Sequence, residues 1–375
     1  MKARYWLLLA AGLIVFGAVR LPASEPATER HTQNVVLVTT DGLRWQELFR
    51  GADPELMNAE AGGVEDLDRL EAAYGRGEAQ DRRAALMPFF WSVVARQGQV
   101  YGNQDKRSVA RVENGMRFSY PGYNEMLAGF ADDERIDSNR KDPNPNRTVL
   151  EWLESKPGYR GKVAAFCSWD VFPFIVNAER SGVYVNAGWE PMRHDNLTAR
   201  EQLLYRLHEE TPAMWSAARY DAFTFYAAIE YLTAHRPRVL FIAFDETDEF
   251  AHAGRYDRYL DSAHRVDSFL RQLWETLESI PEYRGKTSLV ITTDHGRGDP
   301  PTAWRSHGKD VAGAEFIWLA ALGPDTPPLG ERSDAPAVTQ SQVAATLAWL
   351  LGEDFSAAVP RAAGPIADVV SGPRP

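Results

Sequence analysis

Residues 34–45 read NVVLVTTDGLRW, an apolar and β-branched run that closes on Asp41 and Gly42. A strand without polar alternation is buried on both faces, as in parallel sheets, and such sheets collect ligands beyond the carboxyl ends of their strands. Residues 287–299, TSLVITTDHGRGD, repeat the design and close on Asp294 and His295. Residues 239–252, VLFIAFDETDEFAH, run from a third apolar stretch, Val239 to Phe244, into Asp248 and His252. Four apart, those two side chains share one face if a turn of helix follows the strand. WRSHGKD, residues 304–310, adds His307 on a loop.

Helical periodicity fills the spaces between these strands. LMPFFWSVVARQG (86–98), ARYDAFTFYAAIEYLTAH (218–235) and YDRYLDSAHRVDSFLRQLWETL (256–277) carry apolar residues at helical spacing. Alternating strands and helices predict an α/β fold: a doubly wound, mainly parallel central sheet with helices on both faces. The aromatic stripes of those helices read as core. One domain suffices for a chain of 375 residues that is 44% hydrophobic.

Nitrogen and carboxylate donors without thiolates suit zinc, and a catalytic zinc keeps one position open for water or substrate. Asp248, His252 and His307 form one such set, and Asp41, Asp294 and His295 a second. Taken singly, Asp-Gly after a strand is a turn and Asp-His-Gly a capped loop. Jointly, three apolar strands that each end in a carboxylate on one rim predict a site for two divalent cations, with zinc the expected ion. His31, His194, His208, His235 and His264 have no such setting and read as surface or packing residues.

RFSYPGYNEMLAGF, residues 117–130, supplies a candidate nucleophile in Ser119. A short helix is expected from Pro121 to Phe130, since proline near a helix start removes no needed donor and a helix N-terminus favours phosphate. Ser119 has an ordinary reading as an N-cap. Beside a divalent cation its hydroxyl becomes an effective nucleophile without a His-Asp pair.

As an ordered set these motifs resemble the alkaline phosphatase superfamily, most closely its nucleotide pyrophosphatase/phosphodiesterase branch and related bacterial phosphatases. The resemblance runs from about Asn34 to Gly352 and includes VTQSQVAATLAWLLG (338–352), similar to the family's closing helix. It implies that Asp248, His252 and His307 bind one zinc, while Asp41, Ser119, Asp294 and His295 surround the other. The family's phosphate-contacting asparagine falls best on Asn139 in RIDSNR, with Asn124 in reserve. The implied activity is hydrolysis of phosphoric esters through a phosphoserine, with diesters and pyrophosphates favoured over monoesters. Phosphomonoester hydrolysis, phosphoryl or phosphoethanolamine transfer, and a non-catalytic metal-stabilised binding protein are the alternatives.

Ser119 stands where the diesterase branch usually has threonine, and Tyr123 stands where sulfatases need arginine, which disfavours sulfate esters. The interval from Ser119 to Asp248 is too short for the inserted domain of the cofactor-independent phosphoglycerate mutases.

Lys2 and Arg4 precede an apolar run from Trp6 to Val19, short for a bilayer span. This predicts a secretory signal over residues 1–24 and a periplasmic or secreted enzyme, with membrane contact only if the segment stays uncleaved. The catalytic domain is expected over 34–352, with a polar surface excursion at 51–83 able to overhang the site and an extended tail at 356–375. KDPNPNR (141–147) and GPDTPPLGERSDAP (323–336) read as loops. The single cysteine, Cys167, precludes an intrachain disulfide and reads as a small buried hydrophobe. A net charge of −11 argues against binding a nucleic-acid duplex through a basic face. A small phosphorylated substrate remains compatible, because two divalent cations dominate the local field. Arg297, Arg305 and Lys309 flank the donors as candidate phosphate contacts or as solvated loop charges.

Overall fold

A computed structural model describes Met1, residues 30–192 and residues 197–370. Residues 2–24 of the segment expected to be a secretory signal, His194 and residues 371–375 of the expected tail lie outside the described residues. Among the described residues, no helix is long and apolar enough to cross a membrane.

The strands, in chain order, are β1 (Asn34–Thr40), β2 (Gln99–Tyr101), β3 (Ala110–Arg111), β4 (Val163–Cys167), β5 (Tyr184–Ala187), β6 (Val239–Phe244), β7 (Thr287–Thr292), β8 (Phe316–Ile317), β9 (Leu319–Leu322), β10 (Gly330–Glu331) and β11 (Val338–Thr339). Eight form the central sheet in the order β10-β2-β9-β7-β1-β6-β4-β5. From β7 to β5 the pairing is parallel, as the apolar runs predict; β9 joins β7 antiparallel. β3, β8 and β11 make a small second sheet.

Register places the chemistry. Thr40 pairs with Phe244 and Thr39 with Thr292, so Asp41, Asp245 and Asp294 leave the sheet at one rim. Alternation along the strands divides the core. Val36, Val38, Leu240 and Ile242 pack with the Tyr256–Ser279 helix on one face. Val35, Leu37 and Phe241 pack with the Ser119–Ala128 and Gln342–Leu350 helices on the other.

Several expected boundaries move. The helix after Arg117 begins at Ser119 and ends at Ala128, with Gly129 in a left-handed conformation, because the N-cap is Phe118. LMPFFWSVVARQG forms a π-helical turn over Phe90–Val94 followed by Ala95–Gln97. The loop at 323–336 contains β10, a two-residue edge strand. The tail, expected to be extended, has a helical turn at Phe355–Ala358 and buries Ile366, Val369 and Val370 in the core. Those apolar residues lose contact with water by packing back, which an extended tail would forgo.

Candidate active site

The loop after β1 is stitched to the loop after β7 by backbone and side chain alike. The Gly42 N–H donates to Asp294 Oδ1 at 3.1 Å, with Gly42 at φ +59°. A Cβ there would lie 2.8 Å from Arg297 Nε, so only glycine fits this crossing. On the other face, a Cβ on Gly122 would meet the Asp294 carbonyl oxygen at 2.5 Å. That close approach lets the Ser119 helix press directly onto the end of β7.

His295 is at the middle of what results. Its Nδ1 lies 3.0 Å from the Gly296 carbonyl oxygen, which requires the proton there and leaves the Nε2 lone pair free. Nε2 then faces Asp41 Oδ1 at 3.3 Å, Asp294 Oδ2 at 3.5 Å and Ser119 Oγ at 3.5 Å. The opposite oxygen of each carboxylate is already engaged: Tyr123 Oη donates to Asp41 Oδ2 at 3.1 Å, and Gly42 N–H holds Asp294 Oδ1. Asp41 Oδ1 and Asp294 Oδ2 are buried and have no hydrogen-bond partner.

The second group lies against the first. His252 Nε2 is 2.9 Å from His307 Nε2 and 3.2 Å from Asp248 Oδ2, while His307 Nε2 is 3.5 Å from Asp248 Oδ1. Asp248 and His252 sit at the ends of one turn, inside the Glu246–His252 helix, as their spacing predicts. His295 and His307 stack at 3.9 Å. The chelating geometry also links the groups differently from the expected partition, since Asp248, His295 and His307 converge as well as Asp41, Asp294 and His295. His295 alone belongs to both groups, and His252 to neither.

These donors fit divalent cations. Two buried, unpartnered carboxylate oxygens facing an imidazole lone pair are each costly on their own, and a cation satisfies all three at once. Electrostatics agree in direction. Burial, and then the neighbouring carboxylates, push the Asp41 and Asp294 carboxyls well above their usual range. Burial, reinforced by His295, holds His307 well below the usual histidine value and therefore neutral, the form a ligand needs. Burial acts to raise Asp248 too, but Arg297 and the adjacent histidines overcome it and hold that carboxyl well below its usual range.

The asparagines separate clearly. Asn139 Oδ1 accepts from the Tyr120 N–H at 3.0 Å, next to Ser119 at the start of its helix. Asn124, the reserve, is fully buried and accepts from Asn144 and Asn146, so it belongs to the packing beneath the helix. Among the cations, Arg297 is fully buried on Asp248 and is no solvated loop charge. Arg305 donates to the Ala61 carbonyl at 2.7 Å, and Trp304 Nε1 donates to the same oxygen, so the excursion is fastened to the segment that leads to His307. Lys309 is exposed.

His31, His208, His235 and His264 contact Asp325, Trp189, Tyr231 and the Leu86 carbonyl respectively, away from the centre. Cys167 is free and buried, and burial pushes its thiol up. Sequence reading missed the role of Tyr123 on Asp41 and the burial of Arg297. The only signal for the latter was its place two residues beyond His295.

Comparison with known proteins follows this geometry. Residues 89–307, more than half of the chain, match the family described as type I phosphodiesterase / nucleotide pyrophosphatase. No curated protein matches the chain by sequence. Among solved structures, the wild-type alkaline phosphatase PafA is similar at 10% identity, TM-score 0.59, covering 92% of this chain and 100% of that one. Murine ectonucleotide pyrophosphatase / phosphodiesterase 5, an inactive form in complex with AMP, is similar at 14% identity, TM-score 0.51, covering 90% and 100%. Ps i-CgsB in complex with k-i-k-neocarrahexaose is similar at 14% identity, TM-score 0.54, covering 89% and 75%. The chain belongs to the type I phosphodiesterase / nucleotide pyrophosphatase family and shares the fold of the alkaline phosphatase PafA.

Proposed function

We propose that this member of the type I phosphodiesterase / nucleotide pyrophosphatase family cleaves phosphodiester or pyrophosphate bonds of small substrates through a phosphoserine on Ser119. One observation carries the reading: Ser119 Oγ and the unpartnered oxygens Asp41 Oδ1 and Asp294 Oδ2 all face His295 Nε2 within 3.5 Å. Asp248, His252 and His307 would hold one divalent cation, and Asp41, Asp294 and His295 the second, with zinc the expected ion. Such cations supply Lewis acidity, lowering the pKa of a serine hydroxyl and offsetting charge on a leaving oxygen.

The chain's own residues do the rest. Ser119 stands at the first position of a helix, where backbone donors and the helix dipole favour a phosphoryl group. Its Oγ forms the new bond to phosphorus as the bond to the leaving oxygen breaks, and the hydroxyl proton ends on the leaving group; water then cleaves the phosphoryl-serine ester, which still carries the substrate's remaining substituent, and regenerates the hydroxyl. The Tyr120 N–H fixes the amide plane of Asn139, which leaves Nδ2 as a donor for a phosphoryl oxygen. Gly122 and Gly42 hold the nucleophile and the two carboxylates at close approach. Lys2, Arg4 and the apolar run after them support export to the periplasm or beyond.

Assays of matched aryl mono- and diesters, with metal analysis before and after chelation, test the reading. The expected result is two zinc ions per chain, loss of turnover on chelation and a higher kcat/KM for the diester. A many-fold higher value for the monoester would reassign the substrate class, and active protein holding fewer than two ions would remove the two-cation mechanism.

A further inference from the structure

Three carboxylates, Asp41, Asp248 and Asp294, crowd one buried centre, yet among the described residues only Asp248 is matched by a basic side chain other than histidine. Arg297 has a side chain with no exposure, and its guanidinium contacts Asp248 Oδ1. It also donates from Nε to the Gly42 carbonyl at 3.2 Å and from Nη2 to the Asp248 carbonyl at 3.3 Å. The same loop carries Asp294 and His295, so one segment delivers two donors and a cation aimed at a third donor. Asp248 keeps its other oxygen, Oδ2, toward His252.

A second buried arginine shows what is unusual here. Arg44 is equally buried, but its carboxylate partners are Glu47 and Asp53, which are not part of the donor set, and it ties Gly298 to the β1 loop through a backbone carbonyl. Arg44 is a structural pair. Arg297 is spent on a donor.

We infer that Arg297 is a positioning residue that serves as an internal counter-ion, holding Asp248 in place while the cation positions are empty. This rests on the two-cation reading above. It makes the two groups unequal. The Asp248, His252 and His307 side is preassembled by a protein charge, whereas the Asp41 and Asp294 side keeps its orphaned oxygens until a cation arrives. Removing one partner of a buried pair leaves an uncompensated charge, but here a bound cation takes over that compensation. The loss is therefore conditional on metal, which a merely structural ion pair would not show.

The test is thermal unfolding of zinc-loaded and chelator-stripped protein for the wild type, Arg297→Met and Arg297→Lys, with zinc content measured in each. Stripping should lower the Tm of Arg297→Met by roughly 5 °C more than that of the wild type, while zinc returns it close to wild type. Arg297→Lys, which keeps the charge but loses the planar fork, should fall between them. Zinc-loaded Arg297→Met should hold two ions. Equal losses on stripping, or an Arg297→Met protein that stays destabilised or unfolded under saturating zinc, would overturn the inference while leaving the metal reading intact. A wild type that binds no zinc would remove both.

Discussion

Two concentrations of buried polar side chains lie within reach of the Ser119 helix, and they treat their hydrogen-bonding capacity in opposite ways. Beneath the helix, Asn124 accepts from Asn144 at 3.2 Å and from Asn146 at 3.0 Å, and donates to the Phe130 carbonyl. Asn144 also donates to the Ile175 carbonyl, and Asn146 to Asp132 Oδ2 at 2.7 Å. Every amide there is satisfied by protein. At the rim, Asp41 Oδ1, Asp294 Oδ2 and His307 Nδ1 are buried with no hydrogen-bond partner. Burial of a polar group costs about the same in either place, so the difference lies in what completes each region. The asparagine network is finished when the chain folds; the rim is finished only by something that binds.

The largest effect that can break this contrast is on turnover. Ser119→Ala should lower kcat by about 10⁴ or more, with zinc content and Tm unchanged, because it removes the nucleophile and no packing. A folded, active alanine variant would refute the covalent mechanism. Asn139→Ala should cost about 10²–10³ in kcat at constant metal content, the usual loss for one preorganised donor. If Asn124→Ala proved the more damaging to kcat, the assignment of the phosphate contact would be wrong.

Stability sharpens the contrast with opposite signs. Asn124→Ala removes the acceptor of one N–H of Asn144 and one of Asn146, and the donor to the Phe130 carbonyl, and should destabilise by about 2–3 kcal/mol in denaturant titration, whatever the metal content. Asp294→Asn should do the reverse in metal-free protein. An acid whose folded pKa is raised keeps its proton in the folded state and sheds it on unfolding, so it costs stability at every pH above the unfolded value. Removing that acid should raise the stability of the stripped protein at pH 7, read as a higher denaturant midpoint, and abolish zinc binding at that position.

His208 is the smallest test. Its Nε2 is also buried and unpartnered, yet it stacks on Trp189 near Arg219 and faces no donor set. Burial, then Arg219, pulls its pKa down to about 4. The unfolded chain takes up the proton first, so stability falls as pH drops from about 6.5 toward 4. His208→Phe should remove on the order of 1 kcal/mol of that acid sensitivity without changing zinc content. An orphaned nitrogen alone does not make a metal site.

Much of the rim could be read directly. Asp41, Asp248 with His252, and Asp294 with His295 each follow an apolar run, and a buried parallel strand can end only at the sheet's rim. Ser119 was legible as a residue near a helix start. Asn124 and Asn139 were not separable by sequence, because both are asparagines in short polar contexts and only tertiary packing distinguishes an amide beneath the helix from one beside Ser119. Arg297 read as either a phosphate contact or a solvated loop charge for the same reason.

What sequence alone determined, then, was the parallel sheet, the order of its donors and their chemical type, because strand burial and ligand chemistry are written in local composition. Which donors converge on His295, which oxygen of each carboxylate is engaged and which is left bare, and that Arg297 is matched to Asp248 were decided only by tertiary structure. Those facts depend on crossings between segments far apart in the chain, 49 residues for Arg297 against Asp248 and 255 for Gly42 against Arg297, with Gly122 against Asp294 another. Their geometry is set by which backbone can approach which, and no single segment encodes that.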